Sequence, residues 1–135
     1  MATVTAAIAL SSDITDSNIS VSNTSTLFTA GTTTGLDTMT SVTKVLKSTN
    51  QVDLITTGSV STSHAYVYIN NPSTDHTEYF TITIGAAGGA TPTDTEEIGR
   101  LYGGDFMWFP WDVDDDICVT PSVSTDMTVE YMVFS

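Results

Sequence analysis

The residues best suited by type and spacing to chemistry are Asp112, Asp114 and Asp116, set at alternate positions of the run Asp112-Val-Asp-Asp-Asp. Calcium prefers several oxygen ligands, and carboxylates spaced in this way can converge on one ion. An EF-hand loop begun at Asp112 would need Gly at its sixth position, where Ile117 stands, and Glu at its twelfth, where there is none. The run therefore reads either as a Ca²⁺ site or as a solvated acidic hairpin tip. Acid–base or nucleophilic chemistry has less to draw on. There are two histidines, His64 at a strand start and His76 in the loop Asp75-His-Thr77. The chain has no Gly-x-Ser-x-Gly elbow, no His-Glu-x-x-His and no Walker loop. Gly85-Ala-Ala-Gly-Gly89 lacks the Lys-Ser/Thr of a phosphate cradle and reads as a loop tip. The single cysteine, Cys118, lies in the apolar stretch Ile117-Cys-Val119 with no cation nearby in sequence, which predicts a buried, inert thiol.

The aromatic run Phe106-Met-Trp-Phe-Pro-Trp111 holds both tryptophans of the chain. In a strand, Phe106, Trp108 and Pro110 face one way and Met107, Phe109 and Trp111 the other. Apolar residues on both faces require cover on both, either within the subunit or from a second one. Aromatic residues and Met are enriched at interface cores, so Met107, Trp108, Phe109 and Trp111 are the candidate interface residues. A carbohydrate platform on Trp108 or Trp111 is the lesser alternative.

The elements that must position these residues are β-strands. Val129, Tyr131 and Val133 alternate with Thr128, Glu130 and Met132, the period of a strand with two distinct faces. Further strands are expected at 43–47, 53–56, 64–70, 79–84, 97–101, 105–109, 116–120 and 127–134. Asn70-Asn-Pro-Ser73, Gly103-Gly104 and Pro121-Ser122 mark the turns between them. A short helical turn is expected only around 94–97. Short strands about ten residues apart suggest a sandwich or barrel, and the fold expected is all-β, a single antiparallel β-sandwich, jelly-roll-like, over residues 44–135. Residues 1–43 are rich in Ser, Thr and Asn with dispersed aliphatics, and read as an extended N-terminal arm or, failing that, a disordered tail.

Composition restricts the partners. The 135 residues hold 16 carboxylates against 3 cations, Lys44, Lys47 and Arg100, for a formal net charge of −13. Phosphate backbones and anionic bilayers repel such a chain, which argues against nucleic-acid and membrane partners. Threonine (26) and serine (15) supply most of the polarity, and Thr suits a pleated surface where Lys is disfavoured. The N-terminal segment lacks a basic n-region and a sustained apolar run, so no signal peptide is expected. A surface-type composition without a secretion signal suggests a particle assembled inside a cell.

The succession Ala65-Tyr-Val-Tyr-Ile-Asn-Asn-Pro-Ser, Tyr79-Phe-Thr-Ile-Thr-Ile-Gly, Ile98-Gly-Arg-Leu-Tyr-Gly-Gly-Asp-Phe-Met-Trp-Phe-Pro-Trp and Met127-Thr-Val-Glu-Tyr-Met-Val-Phe resembles small β-sandwich virion proteins of tailed bacteriophages. The likeness is to capsid decoration or cement proteins and covers about residues 60–135. It implies a non-enzymatic protein, commonly a homotrimer, that sits on the outer capsid, binds the major capsid protein and stabilises the shell. It supplies no motif residues and implies no cofactor. The alternatives are a phage tail, neck or fibre component and a carbohydrate-binding β-sandwich module.

Overall fold

The structure, a computed structural model, describes residues 3–14, 19–86 and 94–135. Ten strands follow one another: β1 Val4–Ser12, β2 Ile19–Leu27, β3 Met39–Leu46, β4 Val52–Ile55, β5 Ala65–Asn70, β6 Tyr79–Ala86, β7 Asp94–Tyr102, β8 Phe106–Trp111, β9 Ile117–Pro121 and β10 Met127–Phe134. The chain divides into two compact units, residues 1–37 and 38–135. All eight strands expected beyond residue 43 are present. The expected helical turn at 94–97 is instead the start of strand β7. One 3-10 turn, Thr57–Ser59, had no sequence signal.

The larger unit is an all-β sandwich of two four-stranded antiparallel sheets, ordered β3-β10-β5-β8 and β4-β9-β6-β7. Its pairings are nested: first strand with last (β3–β10), then β4–β9, β5–β8 and β6–β7. Two further ladders, β10–β5 and β9–β6, knit these hairpin-like pairs into the two sheets, giving jelly-roll order. Except at β6–β7, every connection crosses between sheets, and Pro, Gly and Asn stand at several of these crossings.

Period-two patterning puts one side of every strand inside. Ala65, Val67 and Ile69 from β5, Ile117 and Val119 from β9, Phe80 and Ile82 from β6 and Val129 from β10 are fully buried in a single cluster that draws on all eight strands. Each large aliphatic or aromatic side chain so buried contributes about 1.5–3 kcal/mol. The register of β6 on β7 skips Ile98, a bulge that leaves this side chain 46% exposed.

Two crossings are fastened by a buried asparagine. Asn71, 0% exposed, donates from Nδ2 to the Leu101 carbonyl (3.0 Å) and accepts at Oδ1 from the Ser73 N–H (3.2 Å). Its own N–H donates to the Asp105 carbonyl (3.0 Å), and its carbonyl accepts from the Gly104 N–H (2.9 Å). The neighbouring Gly103 carbonyl lies 2.7 Å from His76 Nδ1. Gly104, at φ 87, takes the left-handed conformation expected of the Gly-Gly turn.

The smaller unit is a hairpin, where an extended arm was expected. β1 pairs β2 over nine successive positions, from Val4↔Leu27 to Ser12↔Ile19. The boundary between the units falls after Asp37 and not at 43/44 as expected. Residues Met39 to Thr43, assigned to the arm from sequence, are ladder partners of Phe134 to Glu130 in the sandwich. Among the described residues no helix is long and apolar enough to cross a membrane.

Candidate functional site

The outer face of one sheet gathers most of the aromatic side chains that lie outside the core. On the β3-β10-β5-β8 sheet, β5 presents Tyr66, Tyr68 and Asn70, opposite Pro110, Trp108 and Phe106 of β8. Next to them β10 presents Thr128, Glu130, Met132 and Phe134, opposite Val45, Thr43, Ser41 and Met39 of β3. The rings interlock across strands. Tyr66 stacks on Trp108 (centroids 5.7 Å, planes 8° apart), Trp108 leans on Phe134 (5.7 Å) and Tyr68 on Phe106 (5.9 Å). His64 meets Tyr66 edge-on at 4.9 Å. Such cross-strand pairs stiffen the sheet and hold the rings in fixed positions.

This face is apolar and stays open at its margins, with Met39 62%, Phe106 60% and Val45 48% exposed. Glu130 is its one charged strand residue, and its Oε2 accepts from Asn70 Nδ2 at 2.9 Å. In a chain with 16 carboxylates, so neutral a face is a specific feature. Exposed apolar patches with polar margins mark interaction sites.

The expected interface set divides between the two sides of β8. Trp108 lies on the open face together with Phe106 and Pro110. Met107, Phe109 and Trp111 pair with Ile69, Val67 and Ala65 and turn inward. Trp111 is 2% exposed in the core, and its Nε1 donates to the Asp115 carbonyl at 2.9 Å. Of the four candidates, Trp111 is thus a core residue, and Met107 and Phe109 are partly buried against the core. β8 is also an edge strand, which accommodates Pro110 because one side of the strand needs no ladder hydrogen bonds.

Asp112, Asp114 and Asp116 are not brought together. Asp112 Oδ1 accepts from the Asp114 N–H (3.3 Å), closing a local turn. Asp116 Oδ1 accepts from the Thr57 N–H (2.7 Å), satisfying the free donor at the start of the 3-10 turn. Between them Val113 adopts φ 65, costly for a β-branched residue, while its side chain packs against the core. Among the described residues no three His, Cys, Asp or Glu side chains form a group able to hold a metal ion. Asp112 and Asp116 instead accept backbone hydrogen bonds that shape the loop.

The histidines are engaged locally, His64 against the Tyr66 ring and His76 Nδ1 against the Gly103 carbonyl. The three cations are also engaged: Lys47 with Asp126 (3.3 Å), Arg100 with Glu97 (3.7 Å) and over the Tyr79 ring, and Lys44 with the Asp53 carbonyl (3.3 Å). Most of the 85–89 loop lies outside the described residues.

Cys118 is 0% exposed, and its Sγ lies 3.5 Å from Asp53 Oδ1. Burial first, and the neighbouring carboxylate second, push the thiol up to about 11. The native protein is therefore expected to resist a thiol-reactive dye at pH 8 and to react stoichiometrically once unfolded. Because the folded value lies above the unfolded one, Cys118 contributes stability that is complete below the unfolded pKa. That stability is lost as pH rises toward 11. Rapid labelling of the native protein would contradict this assignment.

Comparison with known proteins adds little. The sequence matches no protein-family model and no curated protein. A solved structure, that of the Yersinia pseudotuberculosis-derived mitogen, is similar over 72% of this chain and 85% of its own, with 13% identity and a TM-score of 0.45. A likeness this distant bears on neither assembly nor function.

Proposed function

We propose that this chain is a non-enzymatic virion structural protein that decorates and stabilises the outer surface of a capsid shell. It binds the major capsid protein, and copies associate with one another, as trimers in the resemblance noted from sequence. The observation that carries the reading is the outer face of the β3-β10-β5-β8 sheet, an interlocked aromatic surface with a single carboxylate on a chain of net charge −13. A protein so acidic docks on another protein most readily where its own carboxylates are absent. Tyr66 and Trp108 cover part of each other's ring faces, which favours a protein partner over a sugar that needs those faces free.

The test is cosedimentation with capsids stripped of the protein. Phe106→Asp, on the exposed margin of the face, is expected to lower attachment at least about tenfold, the effect of losing an interface anchor, with the melting temperature little changed. Attachment of the wild type is expected to persist or strengthen as salt rises, since screening relieves repulsion between acidic copies. Undiminished attachment of Phe106→Asp would remove the face from the proposal. Steady release with salt would replace apolar docking with charge pairing to a basic partner surface.

A further inference from the structure

The β1–β2 hairpin has two unlike faces. Its register places Val4, Ala6, Ile8, Leu10 and Ser12 on one side with Leu27, Ser25, Asn23, Val21 and Ile19. The other side is entirely Thr, Ala and Ser. On the apolar side, Leu27 at the base is buried, but the outer half is open: Ile8 is 42%, Leu10 65%, Ile19 55% and Val21 55% exposed. A two-stranded ribbon is marginal by itself in water and gains stability when its apolar face is covered. Among the described residues each strand is hydrogen-bonded to the other alone. Neither contains a charge or a proline, the usual guards of open strands.

We infer that the open apolar face of this hairpin is the surface through which copies of the chain associate, covered by the same face of a second copy. Charge selects that occupant. The chain carries 16 carboxylates and 3 cations, yet none of them lies within the 18 residues of β1 and β2. Outside the near-neutral face of the β3-β10-β5-β8 sheet, two copies that approach bring like charges together, whereas β1 and β2 of each copy meet without any. A basic or acidic partner finds no counter-charge on them, so the occupant is itself neutral, flat and apolar. The hairpin of another copy meets that description. Leu10 sits directly across from Val21 near the centre of the patch, so a two-fold axis there sets each pair against its own equivalent. The inference rests on the reading of the chain as an assembly protein and names a pairwise, two-fold contact between copies, distinct from the three-fold contact of a trimer.

The experiment is light scattering after size exclusion on the full-length chain at micromolar concentrations. Wild type is expected to run at a multiple of 14.3 kDa. Leu10→Asp is expected to raise the midpoint of association at least about tenfold. Thr24→Asp, on the hydroxyl face of the same hairpin, adds the same charge and is expected to leave the mass unchanged. The melting transition of the sandwich reports folding in all three proteins. A monomeric wild type, an unchanged mass for Leu10→Asp, or equal disruption by Thr24→Asp would each overturn the inference. Phe106→Asp separates this contact from capsid attachment: it is expected to stay oligomeric while failing to bind capsids. If it turns monomeric, the copies meet through the sandwich face, and the hairpin assignment is wrong.

Discussion

Trp111→Ala is expected to cost about 4 kcal/mol of folding stability, the usual loss for a large aromatic removed from a packed core, measured by urea denaturation. The side chain is 2% exposed within the cluster formed by both sheets. Its removal leaves a cavity and also frees the Asp115 carbonyl that Nε1 had satisfied. The acidic loop should loosen as a result, because that hydrogen bond ties residue 115 back to the end of β8. Trp108→Ala, three positions earlier, is expected to cost only about 1 kcal/mol, through its lost ring contacts with Tyr66 and Phe134. Fluorescence separates the two readily, because the chain has no other tryptophans. Emission from Trp111 alone should be shielded from acrylamide, and emission from Trp108 alone should be quenched more readily. Equal destabilisation by the two substitutions would contradict the inward and outward assignment of β8.

Nearly as large an effect is expected at the clamp between the crossings. Asn71→Leu should cost about 2–4 kcal/mol, since the Leu101 carbonyl and Ser73 N–H lose their partner in a site without water access. Asn71→Asp, almost the same shape, should be worse at neutral pH. It points a buried carboxylate at the Leu101 carbonyl, where a donor is required. Gly103→Ala tests the other side of the clamp. A Cβ there would collide with the Asp75 carbonyl and lie 2.8 Å from the Ser73 carbonyl oxygen, both backbone atoms that cannot swing away. A loss of about 2–3 kcal/mol is expected, while Gly99→Ala, with open space around it, should stay within about 0.5 kcal/mol. Thermal or urea unfolding of the four variants decides the matter. A tolerated Asn71→Leu would show that the two loops are held by backbone bonds alone.

Much of the sandwich was legible because its strands alternate cleanly and its turns carry Pro, Gly or Asn. Strand β10 shows this best, with Met127, Val129 and Val133 buried at the positions that the period marks. The parity of β8 was equally legible, but not which parity faced inward, since both sides are apolar and only the pairing of Trp111 with Ala65 decides it. The hairpin was missed as a regular element. Ala7 and Ala9 stand on the face opposite Ile8 and Leu10, and alanines on the polar side blur the alternation. β7 was read as partly helical at its start because Glu96 and Glu97 favour helices over strands, and an edge position overrode that preference. The spacing of the acidic run left a Ca²⁺ site and a solvated hairpin tip both open, and it carried no sign that Thr57, distant in sequence, claims Asp116. Asn71 carried a turn signal but no sign of burial, because its partner Leu101 comes near only when the sheets close.

The nested pairing of strands has a consequence for the order in which the chain is made. β3 is the first strand of the sandwich to be synthesised, and its sole sheet neighbour is β10, the last. Throughout elongation β3 therefore waits without its partner, with Met39, Val42, Val45 and Leu46 available to other nascent chains. Two of the chain's three cations, Lys44 and Lys47, lie within or just after this strand. A positive charge at its centre discourages β3 from pairing with another copy of itself, the gatekeeping that lysine provides on vulnerable strands. In the finished fold Lys44 donates to the Asp53 carbonyl, so the residue that guards the unpaired strand becomes a strut between the first two strands of the sandwich.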